Sequence, residues 1–261
     1  MNATAAASRF HSSQLIRCLA DLGMVDAVDP GNAFAEQLGQ WIHFADAITL
    51  SAVHGEGIAS SPTAQLKAQS AAQSVVNAAI GVEFDRIQAS LVNSIIKSCT
   101  PNSSKTHITL PTPEHELPVN IGTAYAPYRR FYEAHQRDME LSIQPLRVNV
   151  RHALAKASPR LRKLADLDAA MEKILREREG KLLGKVPVLL KKRFELLFKE
   201  HQQKLAAMQQ ADNPAAWMKA GGWLARFCKD MQMLLLAEVN LRLQPTIGLI
   251  EAFSDATKQD T

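Results

Sequence analysis

The sequence predicts an all-α fold from three observations. Apolar residues recur at three- and four-residue spacing through most of the 261 residues. Several of these patterns begin with a proline, which is typical of the first turn of a helix. Strand-like alternation is weak even in its best run, ITL at 108–110. We therefore expect a multi-helix bundle with a helical N-terminal part, a proline-rich loop, and a basic C-terminal part around a central apolar helix.

The N-terminal region, residues 1–99, is predicted to hold three helices. The first starts near Phe10, and its apolar pattern stops near Asp29-Pro30-Gly31. The second follows over 32–54 with Asn32 as its N-cap, and we expect these two helices to pack as an antiparallel pair. After a flexible joint at 55–60, Ser61-Pro62 opens a long third helix that ends near Cys99.

The next region, residues 100–122, contains four prolines and lacks helical periodicity. A structureless stretch of this length is uncommon inside a compact domain. It is predicted to be a loop or linker between the N-terminal region and a basic C-terminal helical region, 123–261.

Proline also marks the helices predicted in the C-terminal region. The first opens at Pro127 and should kink or restart at Pro145. The next two open at Pro159 and Pro187, and the last at Pro214. Residues 224–243 of the last helix are apolar on nearly every side, as expected of a central, covered helix, and Gly221-Gly222 would let a neighbour approach closely.

Composition predicts a cytoplasmic globular protein. Apolar residues make up 46% and charged residues 21% of the chain, which is ordinary for a folded domain. The three cysteines lie far apart, which favours a reducing compartment over a disulfide framework. The N-terminus does not resemble a secretion signal, and no stretch approaches the ~20 apolar residues of a membrane span.

The search for chemistry predicts no catalytic residue, no metal ligand and no cofactor. The histidines are not spaced as metal ligands, and phosphate-cradling and nucleophile motifs are missing from the sequence. His107, Glu114, His115 and Glu116 share the proline-rich loop, where a solvated polar loop is the preferred interpretation. Asp46 is expected to hydrogen-bond to a neighbouring helix. We predict a non-enzymatic protein, with an unrecognised nuclease as a further alternative.

Positive charge is distributed unevenly along the chain. Residues 1–100 carry five basic and eight acidic groups, a net of −3, whereas residues 122–207 carry nineteen and ten, a net of +9. Two runs without an acidic residue supply most of the excess. They predict a nucleic-acid-binding surface made of Arg147, Arg151, Lys156, Arg160, Arg162 and Lys163 in the first run, and Lys185, Lys191, Lys192 and Arg193 in the second.

The position of the first run favours an anionic ligand. Arg160, Arg162 and Lys163 fall in a predicted first helical turn, where the helix dipole disfavours cations. A bound DNA phosphate would compensate for this. Two alternatives stay open, namely an ordinary solvated surface and an acidic protein partner without nucleic acid. Tyr125, Tyr128 and Tyr132 either stack on bases or belong to the core.

Two passages carry a family resemblance. FAEQLGQWIHFADAITLSAV (34–53) and LLLAEVNLRLQPTIGLIEAF (234–253) resemble the two ends of a proteobacterial family of uncharacterised function. Members of that family are encoded beside MotA/MotB-like proton-channel proteins, as in the Zorya anti-phage systems, where cytosolic accessory proteins act with a membrane motor. The resemblance implies a defence accessory protein whose partner is that motor or a second accessory protein. It implies no site residues.

Overall fold

Helices account for the architecture, as the sequence predicts. The computed structural model describes residues 13–25, 42, 44–55, 66–100, 107–113 and 121–259, and in these ranges the protein is an all-α multi-helix bundle. No strand occurs in them, including at Ile108–Leu110. The helices are α1 (Gln14–Asp21), α2 (Phe44–Gly55), α3 (Leu66–Cys99), α4 (Ile121–Ala157), α5 (Pro159–Leu183), α6 (Val186–Met208) and α7 (Trp223–Gln259), with a 3-10 turn at Pro214–Ala216.

The N-terminal helices are present, but the first is shorter than predicted. The hydroxyl of Ser13 caps α1 by accepting a hydrogen bond from the Ile16 N–H at 3.3 Å. The helix ends at Asp21. Two residues later Gly23 has a φ of +66°, a conformation that glycine adopts without strain. α2 and α3 match the C-terminal part of the second prediction and most of the third. Residues 26–41 and 56–65, with the predicted caps and turn, lie outside the described residues. The antiparallel pairing of the first two helices stays a prediction.

The start predicted for α4 is wrong, and of the two outcomes predicted at Pro145, a kink or a restart, the restart does not occur. The helix begins at Ile121, before Pro127, and continues through Pro145 to Ala157. A proline inside a helix removes one hydrogen bond and costs ~3 kcal/mol. The neighbours of Pro145 offset this cost because Ile143 and Leu146 are buried on the core side, while Pro145 itself is exposed.

The two following helices confirm their predictions. Pro159 is the first residue of α5, and Pro187 lies in the first turn of α6, at positions where proline costs no hydrogen bond. α5 ends at Leu183, between Gly180 and Gly184.

The last helix begins nine residues later than predicted. Asn213-Pro214 opens the 3-10 turn, in which the Asn213 side chain accepts from the Ala215 N–H at 3.1 Å. Gly221 follows at a φ of +82°, and a Cβ on Gly222 would lie 2.1 Å from the Trp217 carbonyl oxygen. The close approach predicted for the glycine pair therefore occurs at Gly222, whereas a Cβ on Gly221 would meet no described atom within 4 Å. Residues 214–222, which were predicted to be helical, therefore form the 3-10 turn and the segment that leads to α7.

α7 has the burial expected of a central helix. Between Trp223 and Leu243 most side chains are buried, and Pro245 lies within the continuous helix. By length and composition α7 is also the one helix among the described residues that could span a membrane, a test that core helices of water-soluble proteins pass as well. Two acidic residues of α7, Asp230 and Glu238, have buried side chains, and both form hydrogen bonds that are described below.

Compactness divides the chain into two units made of separate segments. The first contains Met1–Asp29, Ser90–Met139 and Leu182–Leu241, and its core includes a ring cluster with centroids 5.0–6.3 Å apart formed by Tyr125, Tyr128, Phe194 and Phe227. The second contains Pro30–Ala89, Glu140–Lys181 and Arg242–Thr261. Within it, Asn77 donates to Ser254 at 3.0 Å and Gln73 to the Ala157 carbonyl at 2.8 Å.

The division into three sequential regions, 1–99, 100–122 and 123–261, stays a prediction. The described part of the middle region, 107–113, is non-helical, as expected of a loop. Ile108 in it is buried.

Replacing Gly222 by alanine should destabilise the protein by about 2 kcal/mol or more, because the added methyl meets the rigid Trp217 carbonyl. The free energy of unfolding in urea measures this loss. Gly248→Ala is the matched control, since a Cβ there meets nothing within 4 Å in α7. It should stabilise by about 0.5 kcal/mol through helix propensity. Equal effects of the two substitutions would contradict the close approach.

Candidate nucleic-acid interface

The first basic run lies on the last part of α4 and the first turns of α5. Arg147 and Arg151 are one helical turn apart on α4, and Asp168 and Glu172 are one turn apart on α5. The two pairs face each other in the second unit. The Arg147 guanidinium donates twice to Asp168, from Nε at 2.9 Å and from Nη2 at 2.6 Å.

Arg151 completes this ion network. Its Nε donates to Asp168 at 2.6 Å and its Nη2 donates to Glu172, which also accepts from Arg176 at 2.8 Å. The side chains of Arg147 and Arg151 are only 13% exposed. Burial by itself would raise the pKa of Glu172, but the hydrogen bonds from Arg176 and Arg151 outweigh it and lower that pKa. Both arginines are therefore occupied by carboxylates of α5, although the run itself contains no acidic residue.

Arg193 of the second run is also occupied. Its Nε donates to Asp230 of α7 at 2.9 Å, and the two side chains are 9% and 12% exposed. Removing either partner would leave a buried charge uncompensated. Arg193 is thus part of the core packing of the first unit and does not lie on its surface.

The remaining cations of the first run surround the junction of α4 and α5, and we name Lys156, Arg160, Arg162 and Lys163 the basic corner. Lys156, Arg160 and Arg162 are exposed and form no ion pair with a described carboxylate. Lys163 is half-buried. The first turn of α5 contains no acidic residue, as predicted.

Backbone groups at this junction are already partly used. The Ser158 hydroxyl accepts from the Leu161 N–H at 3.2 Å, and the Ser158 carbonyl accepts from the Arg162 N–H at 2.9 Å. Arg162 also donates from Nε to the Ala155 carbonyl at 3.0 Å, near the end of α4. Side chains, more than helix N–H groups, would have to hold an anion here.

The remaining cations of the second run lie at the start of α6. Lys185 precedes the helix, and Lys185, Lys191 and Lys192 are exposed. Lys191 is 3.8 Å from Glu195. This contact replaces the Glu195–Lys199 pair that a four-residue spacing suggests, so Lys199 has no described ion-pair partner. Lys185, Lys192 and Lys199 are seven residues apart along one face, and we name them the lysine row. Lys199 is missing from the predicted surface.

The three tyrosines are core residues. Tyr125, Tyr128 and Tyr132 are at most 3% exposed. The Tyr125 hydroxyl donates to the Pro187 carbonyl, and Tyr132 donates to Glu238 at 2.8 Å. Burial raises the pKa of Tyr125 and Tyr128. They cannot stack on bases in this conformation, so the core alternative is confirmed.

A buried serine–histidine pair in the first unit has the geometry of a structural contact. The single Ser98 hydroxyl proton is donated to the Ile95 carbonyl at 2.9 Å. Ser98 Oγ also lies 2.9 Å from His135 Nε2, within hydrogen-bond distance. The two side chains are 4% and 1% exposed, so a substrate does not reach the pair in this conformation. Burial lowers the pKa of His135 to about 4.

Glu238 is a second buried polar group of the first unit with hydrogen-bond partners, whereas the Tyr128 hydroxyl and the Trp223 indole N–H are buried without one in the part of the chain that the structure describes. Glu238 is fully buried and accepts from Tyr132 and, at 3.0 Å, from Gln136. Burial raises the pKa of the Cys99 thiol to about 11 and that of Cys228 to about 12. Among the described residues, no group of three or more histidine, cysteine, aspartate or glutamate side chains could hold a metal ion.

Comparison with known proteins identifies the family of this chain. The fold and these surfaces define an all-helical protein with exposed cationic side chains. The chain matches, over residues 1–255, the family described as "Protein of unknown function (DUF3348)", and it belongs to that family. No curated protein and no solved structure matches it. The expected membership of an uncharacterised family is confirmed.

Asp168→Asn should destabilise the protein by about 3 kcal/mol, because Arg147 would lose its carboxylate in a partly buried site. Chemical denaturation measures the change. The control is Glu177→Gln, which breaks the Glu177–Lys181 pair whose side chains are 78% and 72% exposed. It should lower the free energy of unfolding far less than Asp168→Asn does, because both partners are solvated. Similar losses in the two variants would show that the network contributes no more than a surface pair.

Acid should destabilise the protein through His135. Its pKa falls from 6.5 to about 4 on folding, so below pH 6.5 the unfolded state binds more protons. The contribution is complete above pH 6.5 and is lost as the pH falls to about 4, to a total of roughly 3 kcal/mol. Melting temperatures from pH 7 to pH 4 should fall less steeply in His135→Gln than in the wild type. The exposed His152→Gln control should keep the wild-type slope.

Proposed function

We propose that the protein is a non-enzymatic, cytoplasmic accessory protein of an anti-phage defence system that binds DNA and docks on a partner protein. The defence assignment rests on the family resemblance, since members of the resembling family are encoded beside MotA/MotB-like proteins. The partner would be a MotA/MotB-like motor or a second accessory protein encoded nearby.

The observation that carries DNA binding is the basic corner. Lys156, Arg160 and Arg162 are exposed without a described carboxylate partner, in contrast to Arg147 and Arg151 on the same stretch of chain. These three cations have no described carboxylate partner, whereas the two neighbouring arginines are paired with carboxylates. This contrast favours an external anion as the partner of the three. Phosphate contacts of this kind position a protein on DNA and carry no sequence information directly.

A second candidate function is that of an adaptor that binds an acidic protein without nucleic acid. The lysine row on α6 favours it, because exposed Val188 and Leu196 lie on the same face. Apolar side chains gain nothing from contact with phosphates, whereas a protein partner could cover them.

The wild-type protein should bind a labelled DNA duplex with an affinity that falls steeply with salt. For about four phosphate contacts the slope of log K against log salt is roughly −3.6. Lys156→Glu with Arg160→Glu should weaken binding and reduce the slope by about two or more. Fluorescence anisotropy between about 50 and 200 mM salt measures both quantities.

The matched control reverses Lys173 and Lys181, two exposed cations elsewhere on α5, with the same change in net charge. It should keep most of the salt slope. If the two double variants lose binding equally, total charge and not the corner controls the interaction. Absence of wild-type binding at the lowest salt would refute the DNA half of the proposal and leave the adaptor half standing.

A further inference from the structure

We propose that the exposed face of α6 is a docking surface for an acidic amphipathic helix of a partner protein. This inference deepens the docking half of the proposed function by naming its surface and the chemistry of the partner. The surface consists of the lysine row with Val188 and Leu196.

The five side chains form one continuous line. Val188 follows Lys185 by three residues, Lys192 follows after four, Leu196 after four more, and Lys199 after three. A helix has 3.6 residues per turn, so these spacings keep every member on the same face. The line covers roughly 21 Å, or about four turns. Cations and apolar groups therefore alternate along it.

This face is not required for the packing of α6 itself. The buried residues of the helix, among them Leu190, Phe194 and Leu197, lie on the opposite side. Val188 is 53% and Leu196 is 46% exposed. Single exposed apolar residues are ordinary on protein surfaces. Here they separate three lysines that form no ion pair with a described residue.

The carboxylates beside the line are directed to other cations. Glu195 lies 3.8 Å from Lys191, and Glu200 lies 3.8 Å from Arg226 of α7. Glu195 adjoins the line, three residues after Lys192 and four before Lys199, and counting it together with its partner Lys191 leaves this surface a net charge of three. Its net charge of three thus needs an anionic partner, while its valine and leucine need an apolar one.

A second helix meets both needs. Carboxylates opposite the lysines would pair with them, and the lysine stems would pack with apolar side chains around Val188 and Leu196. The successive spacings of three, four, four and three residues are the same from either end, so the partner helix could run parallel or antiparallel. DNA would leave the two apolar residues against phosphates. A membrane-bound helix separates its apolar and cationic residues onto different faces, which this line does not.

The test uses a synthetic helical peptide of four turns with glutamate opposite each lysine and leucine between them. The wild-type protein should bind it, and reversal of Lys185, Lys192 and Lys199 to glutamate should weaken binding at least about tenfold. The control reverses Lys204, Lys219 and Lys229, which are exposed elsewhere in the same unit, and should bind like the wild type. Val188→Ser with Leu196→Ser should also weaken binding.

A charge swap excludes a folding defect as the cause. The lysine-row variant should bind a peptide in which lysine replaces each glutamate, and the wild type should not. The proposal is overturned if the wild type ignores the glutamate peptide, if a scrambled peptide binds equally well, or if the control loses binding too. It is also overturned if reversing the lysine row instead abolishes binding to a DNA duplex or to phosphatidylserine vesicles. DNA binding through the basic corner is measured with different variants, so the two proposals fail separately.

Discussion

The carboxylate of Asp168 lies between two guanidinium groups and accepts hydrogen bonds from both Arg147 and Arg151. This contact joins α5 to α4 in the second unit, beside the junction that carries the basic corner. In a partly buried site each cation needs its carboxylate, because an unpaired charge there is strongly destabilising. The cations of this region therefore fall into two groups with different roles. Arg147 and Arg151 hold helices together, and Lys156, Arg160 and Arg162 stay at the surface.

Much of the fold could be predicted because proline and apolar spacing act locally. Pro159 and Pro187 mark the starts of α5 and α6, where a missing N–H has no cost. At Pro145 proline does not restart the helix, because buried neighbours on α4 keep it continuous. This tertiary packing is not contained in the local sequence. At Pro214 proline opens only a 3-10 turn, and α7 begins after Gly222 has approached Trp217.

The candidate surface was harder to predict because charge pairing acts through space. Arg147 is 21 residues from Asp168, and Arg193 is 37 residues from Asp230, so an acid-free run along the chain did not mean an acid-free environment. Lys199 was missed for the opposite reason, since Glu195 four residues earlier looked like its partner but lies by Lys191. The seven-residue repeat of Lys185, Lys192 and Lys199 was visible in the sequence. Its exposure required the packing of α6.

The cysteine thiols, two of them buried and Cys99 half-buried, give the folded chain a low reactivity toward oxidants. Burial raises the pKa of all three cysteines, to about 11 for Cys99 and about 12 for Cys228, so the neutral thiol dominates at physiological pH. The thiolate is the species that alkylating reagents and peroxides attack. Cys228 of α7 is also buried, with 6% of its area exposed. Its modification therefore requires the first unit to open, which makes this sulfur a natural reporter of local unfolding.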